Sequence, residues 1–130
     1  MNNLHRMLIQ TAIIFIFFFI IHEIYSKIMS QDIQLLILGV QRTPMNKNYV
    51  GTLFVNLLLI LTIYMFIVIP EATLSTAFIL GIIIQGTINA NNFTVFDNWS
   101  PKMSIIDTVA GGITAFLAVY LGRKTMRFID

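Results

Sequence analysis

Four stretches of this chain run for about the thickness of a bilayer with almost no charge, and that pattern decides the fold class before any motif is considered. The clearest stretch lies between Lys47 and Glu71, where Asn48 to Pro70 contains no charged residue. A hydrocarbon core is about 30 Å thick and a helix rises about 1.5 Å per residue, so about 20 apolar residues cross it. Pro70 closes this stretch because proline has no N–H with which to continue a helix. Between Arg6 and Lys27, Ile13 to Ile21 is wholly apolar. Glu71 and Asp97 bracket a third stretch, and Lys102 and Arg123 a fourth that only Asp107 interrupts. These brackets predict an all-α polytopic membrane protein forming one transmembrane domain, residues 1–130, with spans near 7–26, 49–69, 72–90 and 103–122.

Composition agrees, since 57% of the 130 residues are hydrophobic and 11% are charged, against about 25% charged in a soluble domain. A soluble monomer is excluded, and four spans leave too few residues for an extramembrane domain of ordinary size. The net charge of +2 comes from eight Lys and Arg against six Asp and Glu, the basic residues being scattered apart from the short C-terminal cluster, so no basic stripe for nucleic acid exists. The absence of cysteine removes thiolate chemistry, disulfides and Cys-ligated metals.

The connections are short. Ser30 to Thr43 is too short to cross and is bounded by Asp32 and Arg42, which predicts an interfacial helix between the first two spans. Pro70-Glu71-Ala72 forces spans two and three to be antiparallel neighbours. The basic start, Met1 to Arg6, precedes no small-residue cleavage pattern, so the first span reads as an uncleaved signal anchor. An even number of spans puts both termini on one side. The basic cluster Arg123, Lys124 and Arg127 favours the cytoplasmic or interior face for them.

Small residues mark helix contacts in a bilayer, where backbones must approach closely to gain packing energy. In the fourth span Gly111, Ala115, Ala118 and Gly122 line one helix face, with Asp107 one turn before them. The third span has the stripe Ala77, Gly81, Gln85, Asn89, followed by Asn92. The alternation of span direction brings His22, Glu23, Asn56, Asn89, Asn92 and Asp107 to the loop side. Together with Gln85 they are the expected intramembrane polar cluster. Ionisable groups at membrane depth suggest function. The plainer reading is interhelical hydrogen bonding that holds the bundle, with His22, Glu23 and Lys27 reaching water from a helix end. Asp107 is expected to bond Asn89, Asn92 or Lys102, and Tyr49 and Trp99 to lie at the loop-side interface.

No catalytic motif links these groups. There is no HExxH, no nucleophile elbow and no phosphate loop, and His5 and His22 do not make a metal pair. The expectation is a non-enzyme without cofactor or metal. Asn92-Phe-Thr94 and Asn98-Trp-Ser100 match the glycosylation pattern but lie too close to the bilayer for use.

The stretch from Asn89 through Trp99, Ser100, Pro101, Lys102 and Asp107 to Gly111 resembles an uncharacterised family of small four-span membrane proteins of bacteria and large DNA viruses, known as domain of unknown function family 2177. The family pattern is a Tyr-Asp-Leu-Thr-Asn turn, then Trp-Pro-x-Lys, then an Asp followed closely by Trp-Gly. Asn92, Trp99, Lys102, Asp107 and Gly111 fall on motif positions, whereas Asn89 stands for the family's Asp, Ser100 for its Pro and Ala110 for its Trp. In the first span His22-Glu-Ile-Tyr25 stands where the family tends to carry Asp-x-x-Trp. The resemblance implies the four-span fold and no defined activity. It also implies, with the AT-rich coding bias seen in heavy Ile and Asn use, a virion's internal membrane as a location. The functional expectation is a small structural membrane protein linking the bilayer to capsid or neighbouring membrane proteins. The alternative is a small-solute or ion permease using the polar cluster.

Overall fold

The four long helices each begin where a side chain supplies a missing backbone partner. In a computed structural model describing residues Met1–Asp130, Asn2 Oδ1 accepts from Leu4 N–H at the start of α1 (Asn3–Ile28). Met29 alone separates α1 from α2 (Ser30–Gln41). Asn48 Oδ1 accepts from Val50 and Gly51 N–H to open α3 (Tyr49–Ile63). Thr73 Oγ1 caps α4 (Leu74–Val95) through Thr76 N–H. Ser100 Oγ caps α5 (Pro101–Ile129) through Met103 N–H, with Pro101 in the first helical position, where its missing N–H has no intrahelical partner to lose.

The protein is all-α, and α1, the helix formed by α3 with its extension, α4 and α5 are long and apolar enough to cross a membrane. It is an integral multi-pass membrane protein. The helices overrun the expected spans at several ends, most of all in α5, which continues to Ile129. Charged residues such as Lys124 and Arg127 are helical but belong to the interface, which is why a reading based on charge brackets stopped at 122.

α3 does not end as a plain α-helix. Tyr64–Val68 is a π-helical turn in which Ile69 N–H reaches Tyr64 C=O at 3.0 Å. Pro70 has no N–H to offer Phe66 C=O and its ring crowds that carbonyl, so the last turn widens. The widening brings Ile67 and Val68 inward together with Ile63. The hairpin then closes through Glu71, at φ +50°, a left-handed conformation uncommon for a residue with a Cβ.

α5 is the centre of the bundle, packed along α4 on one side and α1 on the other. The α1 seam runs antiparallel from Arg6 beside Asp130, past Ile14 against Gly122, to Tyr25 beside Asp107. The buried core is Ile14, Ile63, Ile67, Val68, Ala77, Ala118 and Val119, all towards the end where the termini meet. α3 packs there and against α1, but from Tyr49 to Leu58 it buries no residue. α2 lies over the opposite end, where Asn98 Nδ2, in the α4–α5 connection, donates to Gly39 C=O at 3.2 Å.

Candidate functional site

The α4–α5 contact is set by glycine. A Cβ on Gly81 would lie 2.5 Å from Gly111 C=O, and one on Gly111 would lie 2.7 Å from Gln85 Cβ. The two backbones therefore meet with no side chain between them. Ala77 and Ala118, both 0% exposed, continue the small-residue contact towards the termini, and Ala115 faces Gly81. Further along the same face of α5, Gly122 receives Ile14 of α1, whose Cγ1 is 2.5 Å from where a Cβ would stand.

This close approach carries Asp107 to two other helices. Its Oδ2 accepts from Asn89 Nδ2 at 2.7 Å and from Gln85 Nε2 of α4, and its Oδ1 accepts from the Tyr25 hydroxyl of α1 at 3.0 Å. Asn89, a buried residue, also donates from Nδ2 to Gln85 C=O at 2.9 Å, so the amide is held from its own helix as well as by α5. One carboxylate thus joins α1, α4 and α5. Asp107 lies five positions inside Lys102, about 7 Å along the helix, within the loop-side edge of the apolar layer.

The other members of the expected cluster stand apart. His22 is exposed and stacks on Phe18 with ring centroids 6.5 Å apart. Glu23 precedes Tyr25 by two residues, about 200° round the helix, and so points away from Asp107. Asn92 and Asn56 are half-buried with no side-chain hydrogen bond, and Lys102 is exposed. The antiparallel register explains Asn92 and Lys102. With Gly81 opposite Gly111 and Gln85 opposite Asp107, Asn92 is level with Ser100, the cap of α5, about two turns beyond the carboxylate. Asn56 lies on the α3 face that carries Leu59 and Ile63, but on the half that leaves the bundle. Of the three partners expected for Asp107, Asn89 is the one it has. Tyr49 is exposed at the first turn of α3, and Trp99 is half-buried beside Phe96 at 5.9 Å, its indole N–H enclosed without an acceptor.

Tyr25 was missed as a partner. The available signal was spacing, because Thr11, Ile14, Phe18, Ile21 and Tyr25 follow steps of three and four residues that mark one seam of a helix. That seam is the face of α1 turned to α5.

Between the carboxylate and the termini lies a crevice of about 80 Å³, lined mainly by apolar side chains including Ile14, Leu59, Ile63, Ala77 and Leu80, with Gln85 at its polar end. No group of three His, Cys, Asp or Glu side chains converges anywhere in the chain. What the site does chemically is accept hydrogen bonds from three donors on two neighbouring helices. Comparison of the chain with protein-family models, curated proteins and solved structures returns no match.

Proposed function

We propose that this is a small structural membrane protein whose bundle presents its connections and termini to neighbouring proteins. The observation that carries the reading is that both oxygens of Asp107 are engaged by donors from α1 and α4. A carboxylate used for transport has to exchange its partners for a solute or proton and be reachable from both faces. Here the crevice that runs from the carboxylate towards the termini carries no ionisable group and is walled by Ile14, Ile63, Ala77 and Ala118. The surface offered to partners is on α2 and the connection after it, where Leu35, Leu38 and Met45 are exposed beside Gln31 and Gln34.

The finer part of the proposal, that the bilayer is the internal membrane of a large DNA virus and the partner a capsid protein, rests on the family resemblance and on the coding bias. It is tested by identifying what co-purifies with the chain after mild detergent extraction of its native membrane. A shell or coat protein is the expected companion. The broader reading is tested by proton and cation flux in liposomes. The expectation is no flux above that of protein-free vesicles. Flux that Asp107→Asn removes without a change in stability would replace the structural reading with a permease.

A further inference from the structure

At the terminal end of the bundle, α1, the α3–α4 turn and α5 enclose a second polar site that the Asp107 cluster does not involve. It is a pocket of about 350 Å³ lined by Arg6, Gln10, Glu71, Arg123, Met126 and Arg127. Arg6 and Gln10 are one turn apart on α1, and Arg123 and Arg127 one turn apart on α5, so each helix contributes one polar wall. Met126, 3% exposed, is the apolar floor.

The guanidinium groups differ in how far their bonding is used. Arg6 is paired with Asp130 at 2.8 Å. Arg123 donates from Nη2 to Ala72 C=O, which ties the hairpin to α5 and leaves the rest of its fork free. Arg127 has no ion pair and no hydrogen bond. With Arg6 set against Asp130, the lining retains two cations, Arg123 and Arg127, against the single carboxylate of Glu71. Lys124 and His5 lie on the same end of the bundle and add no acidic group.

Such a pocket faces the headgroup layer, because these residues follow directly on the apolar part of α5 and precede that of α1. Two guanidiniums on one face suit the two unesterified oxygens of a phosphodiester, and basic pockets between transmembrane helices bind anionic headgroups. We propose that this pocket binds the headgroup phosphate of an anionic phospholipid, held by Arg123 and Arg127, with the acyl chains running down the apolar surface beside α1 and α5.

The test is thermal unfolding of the full chain in a non-ionic detergent with added phosphatidylglycerol. Parallel series use phosphatidylcholine of the same chains and inorganic phosphate. The expected result is a rise in midpoint with phosphatidylglycerol that neither of the others reproduces. Arg127→Gln, at an exposed position, should keep the lipid-free midpoint and need about fivefold more phosphatidylglycerol for the same rise, the equivalent of about 1 kcal/mol for one basic residue at a membrane surface. Arg123→Gln should weaken the response too and also lower the lipid-free midpoint, since it releases Ala72. Lys47→Gln, at the other end of the bundle, should respond as the unchanged protein does. An equal rise with phosphatidylcholine, an equal rise with inorganic phosphate, or an unaltered response in Arg127→Gln would each overturn the proposal.

Discussion

At the residue scale, the site depends on Asp107 being an acceptor and nothing else. An ionised carboxylate offers about four lone-pair positions and no donor, and three N–H or O–H groups converge on it from Tyr25, Gln85 and Asn89. An amide at the same place has one oxygen; set where Oδ2 stands it still accepts from Gln85 and Asn89, and its NH₂ then faces the Tyr25 hydroxyl, which can turn to accept. Tyr25→Phe removes the only bond from α1 to this carboxylate while keeping the ring. It should lower stability by about 0.5 to 1 kcal/mol, the usual size for a hydrogen bond between transmembrane helices, as read by thermal unfolding in detergent. The Arg6–Asp130 pair makes the contrasting case. With its side chains 53% and 33% exposed, Asp130→Asn should change stability by less than about 1 kcal/mol.

At the element scale, what matters is how closely the helix backbones approach. Gly81→Ala would place a Cβ 2.5 Å from Gly111 C=O, so α4 and α5 would have to separate, and the expected loss is about 2 kcal/mol. Gly39 in α2 has nothing within 4 Å of its missing Cβ. Gly39→Ala should be neutral or stabilising by up to about 1 kcal/mol from helix propensity, and the pair of variants separates glycine needed for contact from glycine merely present. Gly111, Ala118 and Gly122 were legible because their steps of seven and four share a face of α5, and Gly81 because it stands four residues from both Ala77 and Gln85 on α4. The polar residues were legible in depth alone. Counting residues from Lys27 or Lys102 tells which layer Glu23 and Asn92 occupy, but which direction they face depends on how each helix is rotated and in what register it pairs. The same reasoning that singled out α4 and α5 by small residues passed over Tyr25, since the α1 seam is made of Ile and Phe. The π turn before Pro70 was not legible either. A proline announces that a helix stops, but not how the carbonyls before it are met; here Ile69 and Ala72 N–H reach back five residues to Tyr64 and Ile67 C=O.

At the scale of the whole molecule, the two ends of the bundle are held differently. Near the termini, four packed helices share an apolar core. Towards the loops α3 departs, and α1, α4 and α5 are held by the carboxylate they share, under the cover of α2. The four spans and the short α3–α4 turn followed from charge brackets around Asn48–Pro70 and its neighbours, because the length of an uncharged run is a property of the sequence itself; the expected packing of span two along span three did not, since α3 packs on α1 instead. The departure of α3 did not, since a helix apolar on every side carries no record of which side is packed. The central claim is that Asp107 is a structural joint, and thermal unfolding of Asp107→Leu beside Asp107→Asn in the same detergent tests it most directly. Leucine strands the donors of Tyr25, Gln85 and Asn89, and the account predicts a loss of about 2 kcal/mol or more. Asparagine keeps an acceptor and should lose less than half as much. Asp107→Leu unfolding at the midpoint of the unchanged protein would contradict the account.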